Sequence, residues 1–233
     1  MLKEQPSKEK KQVRFKGSAD QMVVFTFYIT YAFLVTTATI TFIEAIRTND
    51  QKIRHILNLE TCISVVAAFF YGLFIDKVSK PELNYAEINQ NRYVDWAITT
   101  PIMLLVLILA FAYNLKINIK FMDYVIILVF NYLMLGFGFL GETNNLNKLL
   151  ANGLGFLSFG GLYYFIFMKY ISKKKNFDNR MLYYTFLILW AFYGIFYLMD
   201  AEPRNVGYNI LDLLSKCFVG IFFWAYFTKT FTL

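Results

Sequence analysis

Long apolar runs alternate with short polar breaks along the whole chain. Seven runs stand out, at about 22–46, 55–75, 92–113, 122–141, 147–168, 182–199 and 207–228. Each reaches the roughly 18–20 residues that a helix needs to cross a hydrocarbon core about 30 Å thick. Within lipid the backbone must satisfy its own hydrogen bonds, and a helix does so inside one segment. The pattern predicts an all-α membrane protein, a seven-transmembrane-helix bundle over 22–233, preceded by a polar basic tail, 1–21. Most connections are short, as antiparallel neighbours require. The exception, 77–91, is long and polar and contains Pro81; it predicts a loop folded over one mouth of the bundle.

Composition narrows the picture. Of 233 residues 58% are hydrophobic, 20% aromatic and only 17% charged, far from the balance of a soluble domain, and the spans leave no room for one. Cys62 and Cys217 fall inside apolar runs and read as small buried thiols rather than a disulfide. His55 is the single histidine, which removes haem and multi-histidine metal sites from the expectation. The tail has no apolar stretch near its start, so the first span serves as the insertion signal. The net charge of +7 is spread over tail and loops, a distribution suited to lipid headgroups and not to nucleic acid.

The basic residues also orient the chain. Loops after runs one, three and five, with the C-terminal end, hold Arg47, Lys52, Arg54, Lys116, Lys120, Lys169, Lys173, Lys174, Lys175, Arg180 and Lys229. The opposite loops hold Lys77, Lys80, Lys148 and Arg204. The positive-inside rule makes the first group cytoplasmic and the N-terminus extracellular. The tail, with Lys3, Lys8, Lys10, Lys11, Arg14 and Lys16, argues the other way; the loops are given precedence.

Charges inside the spans carry the chemistry, because an ionisable group in a membrane segment is expensive and commonly functional. Arg92 and Asp95 lie in the third run, Asp212 and Lys216 in the seventh. Asp212 and Lys216 are four residues apart and share a helix face, as do Asp95 and Thr99. One reading is a set of structural ion pairs between two helices, although desolvation makes such pairs weak stabilisers. The other is covalent chemistry: a lysine amine buried in an apolar bundle condenses with an aldehyde to a Schiff base. A protonated Schiff base then needs carboxylates beside it, which Asp95 and Asp212 supply, with Arg92 balancing the second negative charge.

The run Arg92-Tyr93-Val94-Asp95-Trp96-Ala97-Ile98-Thr99-Thr100-Pro101 resembles the third-helix signature of the microbial (type 1) rhodopsins. Asp212-Leu213-Leu214-Ser215-Lys216 resembles their seventh-helix retinal-lysine motif. Asn131, Met134, Gly136 and Gly138 in run four, and Trp190 with Tyr193 in run six, extend the likeness through the membrane region. The resemblance implies a photoreceptor, not an enzyme, carrying all-trans retinal as a Schiff base on Lys216. It implies Asp95 as primary counter-ion and proton acceptor, Asp212 as second counter-ion and Arg92 as guard of the outward side. Thr99 hydrogen-bonds near Asp95. Trp96, Thr100, Met134, Gly138, Trp190 and Tyr193 line the polyene pocket, Met103 stands at a colour-tuning position, and Tyr71 joins the counter-ion cluster. The implied partners are the lipid membrane, protons or small cations, and further copies in a homo-oligomer. The Phe-, Lys- and Asn-rich composition leans toward rhodopsins of large viruses, in a plasma or host-cell membrane.

The pattern also departs from the family. Pumps commonly carry a carboxylate eleven residues past the Asp95 position, where this chain has Val106. Glu44 and Glu60 are the carboxylates within the cytoplasmic parts of the spans, as substitute proton donors or an inner gate. Asp200 and Glu202, before Pro203, are candidates for outer proton release. Gly194 replaces the usual proline and Tyr197 the usual tryptophan. These features predict an outward light-driven proton pump, with a light-gated cation channel as the alternative and a photosensor as the third reading.

Overall fold

The computed structural model describes residues 18–80, 84–172 and 176–228. These form seven helices with no strand among them: α1 (Ser18–Arg47), α2 (Gln51–Val78), α3 (Tyr85–Leu115), α4 (Phe121–Glu142), α5 (Lys148–Ile171), α6 (Phe177–Tyr197) and α7 (Ala201–Thr228). All but α6 are long and apolar enough to cross a membrane by composition alone. α6 has 21 residues and carries Asp178 and Arg180 in its opening turns. Residues 1–17 of the basic tail, Pro81, Lys173–Lys175 and Lys229 lie outside the described residues, and the last four residues of the tail as read from the sequence open α1.

Side-chain caps set several helix starts. Asp50, Asn84, Asn147 and Asn176 each accept backbone N–H bonds from the first turn of α2, α3, α5 and α6, satisfying donors that a helix leaves free. The Asn84 cap corrects the sequence expectation for 77–91. α3 begins at Tyr85 rather than near Arg92, and Glu87 in its first turn pairs with Lys77 of α2 at 2.8 Å. Hydropathy alone missed this turn because Glu87, Asn89, Gln90 and Asn91 dilute its few apolar positions. Ile88, Asn89, Arg92, Asp95, Trp96, Thr99 and Thr100 are all buried, a 3.6-residue stripe that begins inside the polar break read as 77–91.

α3 is the most enclosed helix, with 61% of its apolar window buried, against 17% for α4. It therefore stands at the centre, and α4 at the edge. Pro101 interrupts its ladder: lacking an N–H, it leaves the Ala97 carbonyl without its helical donor, and the Tyr132 hydroxyl of α4 donates to that carbonyl at 3.2 Å. Large apolar side chains such as Phe121, Leu157 and Phe177 point outward and are more than 70% exposed, the surface of a bundle solvated by lipid chains. Cys62 is on this outer surface, contrary to expectation, whereas Cys217 is buried.

Two apolar clusters flank a polar centre. One packs Val23, Phe27, Phe74 and Ile88 around the N-terminal half of α1 and its neighbours. The other packs Leu104, Val106, Leu107, Phe111 and Phe223 toward the end of the bundle where α3 and α7 finish. The end holding the starts of α1, α3 and α7 is called the N-terminal face below, and the opposite end the C-terminal face.

Candidate functional site: a buried four-charge cluster beside an aromatic cavity

α3 and α7 each present an inward polar stripe. On α3 it runs Asn89, Arg92, Asp95 and Thr99; on α7 it runs Asn205, Asn209, Asp212 and Lys216, all buried. The last two α7 residues straddle the entry to a π-helical stretch, Leu213–Phe218. Such wider turns recur at functional sites, and this one sets the register in which Lys216 meets α3.

Lys216 is the one lysine with a buried side chain among the described residues. Its Nζ donates to Asp95 Oδ2 at 2.7 Å and lies 3.4 Å from Asp212 Oδ1. The two carboxylates are not equivalent. Asp212 accepts hydroxyl bonds from Tyr193 at 2.7 Å and Tyr71 at 2.8 Å, and Arg92 Nη1 lies 3.5 Å from its Oδ2. Asp95 Oδ1 has no hydrogen-bond partner among the described residues. Two positive and two negative groups thus cancel in a place where each is at most 1% exposed. Their neutrality matters, since removing one partner of a buried pair costs about 3–5 kcal/mol.

Arg92 is held from every side. Its guanidinium donates to Asn205 and Asn209 and lies 5.0–5.7 Å from the ring centres of Phe27, Tyr71, Phe74 and Tyr208. Thr99 donates to the backbone carbonyl of Asp95 at 2.9 Å, not to its carboxylate. Thr100 bonds the Trp96 carbonyl and accepts from Asn131 Nδ2 at 2.9 Å, tying α3 to α4.

Next to Lys216 lies a cavity with mostly apolar walls, the form that small-molecule sites commonly take. Trp96, Thr100, Met103, Met134, Gly138, Trp190 and Tyr193 line it, together with Lys216 and Asp212 at one end. The sequence reading had passed over Tyr93, Phe156, Phe159 and Tyr208 in its wall, and placed Gly194 and Tyr197 only as departures. Tyr71 lies on Asp212 rather than in the cavity wall. Trp96 meets Tyr193 and Tyr208 edge-on at 5.4 and 5.1 Å, giving a rigid aromatic end wall.

The outlying carboxylates separate. Glu44 is half-buried near the end of α1, 3.7 Å from Arg47. Glu60 is deep in the bundle, 3% exposed. A Cβ placed on Gly220 would come within 3.1 Å of its Oε2, which puts the carboxyl against α7 four residues past Lys216. Asp200 is exposed at the start of α7, and Glu202 is in its first turn. The side-chain network running from Arg92 to the N-terminal face ends instead on Glu142 and Arg204.

The model of the bacteriorhodopsin-like proteins matches residues 21–230, and the chain belongs to that family. It is 59% identical to the viral rhodopsin OLPVRII, with a TM-score of 0.85 over 90% of this chain and 99% of that one. Blue light-absorbing proteorhodopsin from Med12 shares the fold at 21% identity and a TM-score of 0.71, over 89% and 97% of the two chains. Xanthorhodopsin, a light-driven ion pump with dual chromophore, does so at 18% and 0.74, over 90% and 93%. No curated protein matches the chain. The protein is thus a multi-pass membrane rhodopsin of the viral type. Proteins of this family bind retinal through a Schiff base to a lysine and act as light-driven transporters or sensors rather than enzymes.

The residues present suit that group. The cavity ends at a buried amine, its walls are aromatic and apolar, and the amine already has carboxylate partners for a positive nitrogen. Gly138 adds room: a Cβ there would meet the Tyr93 hydroxyl at 2.6 Å.

Proposed function

We propose that this rhodopsin moves protons outward in response to light, with Lys216 as the retinal lysine and Asp95 as the proton acceptor. The observation that carries the reading is the 2.7 Å contact from Lys216 Nζ to Asp95 Oδ2, beside an Asp95 oxygen that nothing else engages. Retinal bound at Lys216 supplies light absorption and an isomerisation that reorients the bond to the nitrogen. Trp96, Met134, Gly138 and Trp190 would hold the polyene, and Thr100 and Met103 would bound it on the α3 side.

The protein groups then divide the work. Asp95 Oδ takes a proton from the Lys216 nitrogen, since Asp212 already has two tyrosine hydroxyls and faces Arg92. Arg92 sits on the N-terminal side of both carboxylates and is the positive group that responds when the charge on Asp95 disappears. With the N-terminal face outside, as the loop charges indicate, this transfer is outward. On the C-terminal side Val106, Leu107 and Phe111 keep the interior dry.

Val106 cannot supply a proton, so reprotonation falls to Glu60. Its carboxyl is 3% exposed and forms no ion pair among the described residues, and a buried ionised carboxylate without a partner is costly. Glu60→Gln is expected to slow recovery of the dark state about tenfold or more, in line with the loss of one acid–base group, and to leave the absorption maximum in place. Flash spectroscopy measures both, and an unchanged recovery time removes Glu60 from the cycle.

The same buried Glu60, with Glu44 nearer the surface, favours a second reading as a light-gated cation channel. Photocurrent at zero voltage between identical solutions separates the two. Steady outward current identifies a pump. Zero current with a light-dependent conductance that follows the ion gradient identifies a channel, and E44Q or E60Q then alters that conductance. If neither appears while the protein still absorbs and cycles, the sensor reading takes over.

A further inference from the structure

The network on the N-terminal face has an end point that the polar pattern of α7 did not suggest. Arg92 donates to Asn205 Oδ1 at 3.2 and 3.3 Å. Asn205 Nδ2 donates to Asn89 Oδ1 at 3.2 Å, and Asn89 Nδ2 to Glu142 Oε1 at 3.0 Å. The other oxygen of Glu142 takes Arg204 Nη1 at 2.8 Å. Two amides, from α7 and α3, thus link the charged centre to one carboxylate of α4 whose side chain is 7% exposed. Asp200, by contrast, is exposed.

Glu142 is the last residue of α4, where the helix dipole opposes a negative charge. Arg204 supplies the cation that holds it there, and Lys148 of α5 adds positive charge nearby. Tyr93, Tyr197 and Tyr208 also face the pair, from α3, α6 and α7. Neither amide in the link has an ionisable proton to hand on. In the arrangement seen, Asn89 and Asn205 therefore close the path between Asp95 and Glu142. Asn205 is held by Arg92, by Asn89 and by the Ala201 carbonyl, and Asn89 by Asn205 and Glu142.

We propose that Glu142 is the outer proton-holding site, and that the Asn89–Asn205 link is the gate in front of it. Departure of Arg92 from Asn205 Oδ1 leaves that amide free to turn away from Asn89, and water entering the gap joins Asp95 to Glu142. Through that water the O–H bond at Asp95 breaks and an O–H bond forms at a Glu142 oxygen. Glu142 passes that proton to the outer solution, and its carboxylate pairs again with Arg204. This deepens the pump reading and rests on it.

The test uses the full-length, retinal-loaded protein, with a pH-sensitive dye for release and time-resolved infrared difference spectroscopy for carboxyl groups. In the unmodified protein a transient carboxylic-acid band is expected after that of Asp95. In Glu142→Gln that second band is lost and release is delayed at least tenfold, while the visible maximum is unchanged. Asn89→Ala, which leaves the carboxyl in place, keeps the second band but shifts its rise time away from that of the unmodified protein. Asp200→Asn leaves release as it was. Unchanged release and an unchanged infrared spectrum in Glu142→Gln overturn the proposal; should that variant not fold, an unaltered rise time in Asn89→Ala does so. Absence of any light-driven proton release from the unmodified protein overturns the pump reading and this proposal with it.

Discussion

Lys216→Ala yields a protein with no visible absorption band when retinal is added, the largest single effect expected in this chain. The Lys216 side chain is 1% exposed and its nitrogen is at the end of the aromatic cavity; no other lysine side chain is buried among the described residues. No second amine is therefore placed to take over the aldehyde. The alanine variant also leaves Asp95 and Asp212 facing Arg92 alone, a net negative charge in a dry site. A cost of about 3–5 kcal/mol is expected from such an uncompensated charge, so loss of colour by itself is open to a folding explanation. Lys216→Arg removes that ambiguity. Arginine keeps the positive charge beside both carboxylates, yet it stays protonated at any pH a protein tolerates and forms no Schiff base. The arginine variant is expected to remain helical by circular dichroism and extract intact in detergent, while staying colourless with retinal. A visible band in Lys216→Arg would sink the assignment of the retinal lysine.

The stripes that surround Lys216 explain what the sequence reveals and what it conceals. Arg92, Asp95, Asp212 and Lys216 were legible because a charge inside a span is rare enough to announce itself. The apolar runs gave the helix count for the same reason. Asn89, Asn205 and Asn209 were not legible by that test, since a neutral amide near a span's edge resembles loop. A different test finds them. Stepping by three or four residues from Arg92 leads to Asn89, and from Asp212 to Asn209 and then Asn205; both steps stay on the inward face of a helix. Glu142 had no such signal, because it is on a third helix and its role depends on how α4 ends against α7. The start of α3 was misread through the same bias: Glu87, Asn89, Gln90 and Asn91 give it the hydropathy of a loop, although Ile88 and Asn89 are buried. Cys62 was misread because, in lipid, an apolar run has an outer face as apolar as its core.

Asp95→Asn tests the direction of transport and the inequality of the two carboxylates together. Asparagine matches aspartate in size, so the cavity and the packing of α3 stay as they are. What disappears is the negative charge 2.7 Å from Lys216 Nζ and the group able to take its proton. Photocurrent is expected to fall by about a hundredfold or more, the scale of losing a positioned acid–base group. The absorption band should move to longer wavelength. Excitation of a protonated polyene shifts positive charge away from the nitrogen, so a carboxylate beside that nitrogen stabilises the ground state more than the excited state. Removing it narrows the gap. Asp212→Asn should behave differently. That change deprives Tyr71, Tyr193 and Arg92 of their shared acceptor, so it destabilises the cluster and weakens retention of the chromophore rather than acting on transport alone. Spectra and photocurrents of the two variants, measured side by side in one membrane preparation, decide the matter. If Asp95→Asn still pumps and Asp212→Asn alone stops transport, the acceptor is Asp212, and the free oxygen of Asp95 has no part in carrying the proton.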